Sequence, residues 1–361
     1  MKKIYFIAEA GVNHNGDRGL AMNLIDVAAE AGADAVKFQT FKSDELVAPS
    51  AAKAEYQEDK SNPNQTQLEM LKKLEISEGF QKELVEHCSK VGIDFMSTAF
   101  DSKSLDFLIN DLGMKVNKIP SGEITNAPLL IHHGRTKNKI ILSTGMSTID
   151  EIEDALSAIC FGILQKDGKP SAKVLDDLYK SAEVKDELKK RVILLHCTSE
   201  YPALDESINL KAMRSIRDFF DLSVGYSDHS LGIEVSLMAA TMGASVIEKH
   251  FTMDKNLDGP DHKASLNPNE LKNLVELIRR AERIIGNGEK APTLVEEKNK
   301  IVSRRSIFAN SEIKKGDQFS LENLTLKRPG DGISPFRMWD LINKHSKKDY
   351  KKDEKISQNE I

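Results

Sequence analysis

The chain has 361 residues, of which 40% are hydrophobic and 30% charged, with a formal net charge of -5 at pH 7. This is the balance of an ordinary globular protein, and its acidic sign speaks against a general nucleic-acid binder, which presents a basic surface. The length favours one large domain plus a small one. Cys88, Cys160 and Cys197 are odd in number and widely spaced, which suits reduced thiols better than a disulfide framework or a zinc site.

In chain order, the first apolar run is "IYFIA" (4–8), closed by Glu9. Two lysines precede it, but the early acid and the lack of a small-residue cleavage site make it a first strand, not a signal peptide. No apolar run is long enough to span a bilayer, so no membrane partner and a cytoplasmic location are expected. "DRGLAMNLIDVAAEAGA" (17–33) follows with helical spacing, Leu20, Leu24, Val27 and Ala28 on one face and Gly32 as a stop. Further strand-like runs are "DAVKFQT" (34–40), "IDFMST" (93–98), "KVNKIPS" (115–121), "KIILST" (139–144), "VILLHC" (192–197), "LSVGYS" (222–227) and "SVIEKH" (245–250). Helical patterns separate most of them: 148–164 opens with a Thr148/Glu151 capping box, and 231–244 and 267–288 behave likewise. Residues 42–77 read as a lid-like excursion over strand ends, and 165–191 as a charged surface insertion in one crossover.

Eight strands alternating with helices predict an α/β fold, a TIM (β/α)8 barrel by count and size. A doubly wound sheet would place a Gly-rich phosphate fingerprint after the first strand, and "AEAGVNHNG" has none. The barrel is expected over 1–286 and a linker over 287–300. A small domain of strand-like pieces separated by turns is expected over 301–361, near the lower size limit for folding alone.

Barrel chemistry comes from the C-terminal ends of several strands. Those ends carry Glu9, Lys37 with Gln39, Thr98, Lys118 with Ser121 and Glu123, Ser143, His196, Ser227 with Asp228 and His229, and Glu248 with Lys249 and His250. Nearly every strand thus ends in polar side chains, which points to one shared site. Lys37 and Lys118, with the hydroxyls of Thr98, Ser121, Ser143 and Ser227, suit a phosphate or carboxylate. His229 and His250 end neighbouring strands and could share a divalent metal with water completing its shell. His196 reads either as a third ligand or as a hydrogen-bonded core histidine, and His14 as a turn-stabilising loop residue. The turn "GPDHKAS" (259–265) brings Asp261 towards the mouth, so Glu9, Glu123 and Asp261 are the carboxylates for proton transfer or hydroxyl binding. In "SVIEKH", Glu248 and Lys249 flank His250, and strand alternation lets only one face of the trio point into the site.

The stretches "AEAGVNHNGD", "AVKFQTF", "FMSTAFD", "KIPSGEITN", "ILSTGM", "LLHCTSEYP", "GYSDHS" and "IEKHFTMDKNLDGPDHKASLNP" together resemble the sialic acid synthase family, which includes N-acetylneuraminate and N,N'-diacetyllegionaminate synthases. "IKKGDQFSLENLTLKRPGDGISP" is similar to that family's C-terminal antifreeze-like (SAF, β-clip type) domain. The resemblance implies a transferase that condenses phosphoenolpyruvate with an N-acylmannosamine-type sugar and water, giving a nine-carbon 2-keto acid and phosphate. It implies a divalent metal on His229 and His250, typically Mn2+, with Mg2+ or Co2+ as alternatives. Phosphoenolpyruvate would be held by Lys37, Thr98, Lys118, Ser121, Ser143 and Ser227 at the strand ends where Gln39 also lies. Glu9, Ser199, Tyr201 and Asp261 would line the sugar site. Arg328 would reach the sugar's N-acyl group from the partner subunit, in a domain-swapped homodimer. Glu123 is the expected base for water, with Glu9 the alternative. Ala99 stands where many relatives are expected to carry Pro. Competing readings are a metal-dependent aldolase using free pyruvate and a non-catalytic carbohydrate- or ice-binding protein. The acceptor is either N-acetylmannosamine or a 2,4-diacetamido-2,4,6-trideoxymannose.

Overall fold

A computed structural model describes residues 3–53, 65–164, 168–179 and 181–361. The chain forms two compact units, Met1–Asn287 and Gly288–Ile361. In the first, eight parallel strands close into a barrel in sequence order. They are β1 (Tyr5–Gly11), β2 (Ala35–Thr40), β3 (Asp94–Ala99), β4 (Val116–Ile119), β5 (Lys139–Ser143), β6 (Val192–Cys197), β7 (Ser223–Asp228) and β8 (Val246–His250). The fold is the TIM barrel that the strand–helix alternation predicts.

Helix boundaries follow their capping chemistry. Asp17 accepts from the Leu20 amide and opens the helix Arg18–Glu30, while reciprocal capping boxes open Ile149–Ile163 (Thr148/Glu151) and Pro268–Ile285 (Asn267/Glu270). The first helix buries Ala21, Leu24, Ile25 and Ala28 against the barrel. Of the stripe expected from spacing, Leu24 and Ala28 are fully buried, and Leu20 and Val27 are partly buried against the same core.

Side chains alternate across each strand, so the barrel interior is read at every second residue. Its middle is an apolar plug of Ile7, Ala35, Met96, Ile141, Leu195 and Val246, with Val116 packed against it. On β7 the interior position is Gly225, where a Cβ would lie 2.4 Å from the Val246 carbonyl and 2.6 Å from a Leu195 methyl. The plug is too tight there for any side chain.

One segment departs from the sequence expectation. The 165–191 segment is not simply a surface insertion. Its helix Ala182–Arg191 places Val184 and Leu188, 1% and 2% exposed, in the core shared by barrel and outer helices. Arg191 then donates to the Thr136 and Asn138 carbonyls, pinning the approach to β5. The second unit pairs β9 (Ser306–Ala309) and β10 (Leu324–Lys327) antiparallel over a core that includes Ile307, Ile313, Phe319, Leu341 and Tyr350. Within it, the helix Leu294–Ser303 starts at a Thr293/Glu296 capping box.

Candidate active site at the barrel mouth

One step above the apolar plug, the inward side chains turn polar on seven of the eight strands, and on β6 the position is the thiol of Cys197. Moving two residues along replaces Ile7 by Glu9, Ala35 by Lys37, Met96 by Thr98, Val116 by Lys118, Ile141 by Ser143, Leu195 by Cys197, Gly225 by Ser227 and Val246 by Glu248. Strand register makes neighbours of them: Glu9 lies opposite both Lys37 and His250, Thr98 opposite Lys118, and Ser227 opposite Glu248. These side chains floor a cavity of about 470 Å³.

The floor is a buried charge quartet. The Lys37 ammonium sits 2.7 Å from Glu9 Oε2 and 3.6 Å from Glu248 Oε2, and donates to Thr98 Oγ1 at 3.0 Å. Lys118 Nζ lies 3.3 Å from Glu248 Oε1 and donates to Ser143 Oγ at 2.9 Å. Ser227 Oγ donates to the same Glu248 oxygen at 2.9 Å. Burial raises both carboxyl groups, but on Glu248 the attraction of Lys118 and Lys37 outweighs it and holds the group below the usual range. Glu9 has only Lys37 close by, and burial keeps its affinity for a proton above that of an ordinary carboxyl.

Above the floor stand the histidines. His229 and His250 have ring centroids 5.6 Å apart, and Tyr201 stacks on His229 at 4.0 Å. Burial lowers the His229 pKa to about 4 and takes His250 well below its ordinary value, so both imidazoles are neutral at pH 7. The His229 Nδ1 donates to the Thr198 carbonyl at 2.6 Å, which fixes its tautomer, and its Nε2 meets the Tyr201 hydroxyl at 3.0 Å. Asp261 Oδ2 lies 3.8 Å from His250 Nδ1, and burial raises the Asp261 pKa to about 6.

Most residues singled out from strand ends thus come together. Glu9, Lys37, Gln39, Thr98, Lys118, Ser121, Glu123, Ser143, Ser199, Tyr201, Ser227, His229 and His250 all line the cavity. Asp261 adjoins it through His250, and Arg328 lies exposed in the second unit after β10. Glu123 is half-buried at the edge, its carboxylate accepting from Asn126 Nδ2 at 2.7 Å. His196 faces away from the barrel axis, bonded through Nε2 to the Ile208 carbonyl at 2.7 Å. His14 is fully buried and accepts from the Gly16 amide at 3.0 Å, holding the turn after β1. Leu46, Val47, Gln67 and Leu71 of the 42–77 excursion line the cavity, and residues 54–64 of that excursion lie outside the described residues.

The inward lining residues Glu248 and Cys197 carry no role in the strand-end reading. Counting back two from His250, or forward two from Val246, would have placed Glu248 on the inner face. Cys197 reads as an ordinary core residue, yet its thiol is 3.1 Å from Ser121 Oγ. The third member of the "EKH" trio, Lys249, points outward and is fully buried against Asp228.

A closed parallel barrel with lysine, carboxylate and imidazole groups gathered at the C-terminal mouth is a TIM-barrel protein with its polar site where that fold places its chemistry. The NeuB family model matches residues 24–290 and the SAF domain model residues 304–361. The chain is 49% identical over 356 residues to the N,N'-diacetyllegionaminic acid synthase of Campylobacter jejuni, covering 99% of each chain. It is 50% identical over 338 residues to the N,N'-diacetyllegionaminic acid synthase of Legionella pneumophila, covering 94% of this chain and 89% of that one. Among solved structures, the N-acetylneuraminic acid synthetase of Leptospira borgpetersenii aligns with a TM-score of 0.67 at 33% identity, over 82% of this chain and 90% of that one. The chain belongs to the NeuB family and carries a C-terminal SAF domain.

Proposed function

We propose that this protein is a nonulosonic acid synthase that condenses phosphoenolpyruvate with an N-acylated mannosamine-type sugar and water, releasing phosphate. The acceptor proposed is 2,4-diacetamido-2,4,6-trideoxymannose, giving N,N'-diacetyllegionaminate, the product named for both relatives at about half identity. The observation that carries the reading is the buried pair Lys37 and Lys118, held beside four hydroxyls at the mouth and beneath two neutral imidazoles.

In this reading the two ammonium groups, with Thr98, Ser121, Ser143 and Ser227, hold the phosphate and carboxylate of phosphoenolpyruvate, and Gln39 borders them. Glu9, Ser199, Tyr201 and Asp261 face the sugar. Carbon 3 of phosphoenolpyruvate forms a bond to the aldehyde carbon of the open-chain sugar, whose oxygen takes a proton. Carbon 2 is left cationic, and the adjacent carboxylates Glu9 and Glu248 stabilise that charge. Water adds to carbon 2 and loses its proton to Glu123. The bond from carbon 2 to the phosphate oxygen then breaks as the new hydroxyl on carbon 2 gives its proton to the departing phosphate, leaving a ketone and inorganic phosphate.

The donor set fits a divalent cation. Two imidazoles are kept neutral, His229 is oriented by a backbone carbonyl, and the buried Nδ1 of His250 has no hydrogen-bond partner. Among the described residues no group of three or more His, Cys, Asp and Glu converges as a cage. His229 and His250 would therefore hold the ion with water and substrate filling the remaining positions. When bound, manganese, magnesium or cobalt supplies Lewis-acid polarisation of the sugar aldehyde. The SAF domain is proposed to be exchanged in a homodimer, with Arg328 of the partner subunit contacting the N-acyl group. No described helix is long and apolar enough to cross a membrane.

Phosphate release from phosphoenolpyruvate with Mn2+ tests this. Release is expected with the diacetamido sugar and slower turnover with N-acetylmannosamine. No release with any N-acylated mannosamine would overturn the synthase reading, and faster turnover of N-acetylmannosamine would overturn the acceptor assignment.

A further inference from the structure

The two histidines assigned above to the metal are each preceded by a charged residue, Asp228 before His229 and Lys249 before His250. These are opposite partners in the β7–β8 register. Being one residue off the histidines, they point to the other side of the sheet, away from the cavity. Both side chains are completely buried, and Lys249 Nζ lies 3.0 Å from Asp228 Oδ2.

The pair is tied into the loop that carries His229. Lys249 Nζ also donates to the Ser230 carbonyl at 2.5 Å. Asp228 Oδ1 accepts from the Ser230 amide at 2.9 Å and the Ser230 hydroxyl at 2.6 Å, while Oδ2 accepts from Ser236 at 2.6 Å. Ser230 in turn forms a parallel bridge with Ala203, whose amide donates to the His229 carbonyl at 2.9 Å. Two of the three bonds that Asp228 accepts from serine come from Ser230, next to His229, and the third comes from Ser236 on the following helix. The ammonium comes from the residue beside His250.

A buried ion pair is a poor source of net stability, because desolvating two charges consumes most of their attraction, but it is strict about register. A slip of one residue between β7 and β8 would separate the two charges and turn the histidine of the slipped strand out of the cavity. We propose that Asp228 and Lys249 are positioning residues that set the separation and orientation of His229 and His250 for metal binding. This rests on the reading of those histidines as the metal ligands.

The test uses the full-length protein and Mn2+ alone, its binding followed by loss of the free-ion electron paramagnetic resonance signal, without substrates. The unmodified protein should bind Mn2+ and the His229→Ala variant should not. If neither shows a metal-dependent signal change, the ligand reading fails and the positioning role falls with it. Lys249→Met alone strands the Asp228 carboxylate in the interior and is expected to impair folding, so the decisive variant is the double one, Asp228→Asn with Lys249→Met. It removes both charges and conserves volume. We expect it to fold and to bind phosphoenolpyruvate normally, as the lysine–hydroxyl floor is untouched. Its Mn2+ affinity should fall at least tenfold, the range expected when the partners that orient a metal ligand are lost. The milder Ser236→Ala variant should weaken Mn2+ in the same direction while leaving phosphoenolpyruvate unaffected. A folded double variant that binds Mn2+ within twofold of the unmodified protein would overturn the proposal, and so would equal losses for Mn2+ and phosphoenolpyruvate.

Discussion

Replacing Glu248 by Gln should make the empty protein less stable and its grip on anions stronger. Among the described residues, Glu248 is the carboxylate that bridges Lys37 and Lys118, at 3.6 Å and 3.3 Å. Glutamine keeps the shape and a hydrogen-bond acceptor for Ser227 but removes the charge. Lys118 then has no carboxylate in contact, and Lys37 keeps only Glu9. Breaking a buried pair by removing one partner costs about 3–5 kcal/mol. At roughly 2–4 °C per kcal/mol for a domain of this size, the apparent Tm should fall by about 6–20 °C. An arriving phosphate or carboxylate meets the opposite effect. A unit charge at about 5 Å and an effective dielectric constant of about 20 is worth about 3 kcal/mol, so deleting a competing carboxylate should tighten phosphoenolpyruvate by tenfold or more. Scanning calorimetry with and without phosphoenolpyruvate reads both numbers, since tighter binding to the folded state raises Tm by mass action. The ligand-induced rise should be larger in Glu248→Gln than in the unmodified protein. An equal or smaller rise would refute the view that the quartet is a preformed anion site whose carboxylate stands in for the substrate.

Other outcomes follow from the same geometry. Glu123→Gln should fold normally and bind phosphoenolpyruvate, but lower kcat by about a hundredfold or more as expected for loss of a general base; near-normal turnover would exclude Glu123 from that role. Leu188→Ala, in the helix of the long crossover, should destabilise by about 2–5 kcal/mol, measured by urea unfolding; a change below about 0.5 kcal/mol would restore the surface-insertion reading. Asp34 ties the start of β1 to the last barrel helix, accepting from the Phe6 amide at 2.8 Å and Arg279 at 2.5 Å and pairing with Lys3. Burial opposes its ionisation, but these donors prevail and hold its pKa below the usual value. A depressed folded pKa means that the stabilisation is present above the unfolded value near pH 4 and is lost as pH falls through the folded one. Asp34→Asn should therefore lower Tm by a few degrees at pH 7 and flatten its decline on acidification; an unchanged profile below about pH 4 would contradict this.

Local rules carried far in this chain. Eight apolar runs with turn and cap signals between them are enough to predict eight strands, and the observed strands match those runs to within a residue at most ends. The "polar after apolar" step at each strand end was legible because a barrel strand must leave the core at its mouth. Thirteen of the chosen side chains line one cavity for that reason. On Arg18–Glu30 all four residues of the expected stripe pack on the core, and only the deeper burial of Ala21 and Ile25 depends on how the helix rolls, which spacing alone does not fix.

What the sequence determined by itself was therefore the order and kind of the elements, since hydrophobic period and capping are local properties. What only the tertiary structure decided was which charges meet. Glu248 and Lys249 are adjacent in "SVIEKHFT", yet alternation sends one into the lysine floor and the other behind the sheet to Asp228. Their partners come from strands 20 or more residues away, and barrel closure between β8 and β1 brings Glu9 beside His250 across almost the whole domain. Burial, the property that leaves both imidazoles neutral and raises the Glu9 pKa, exists only after that closure.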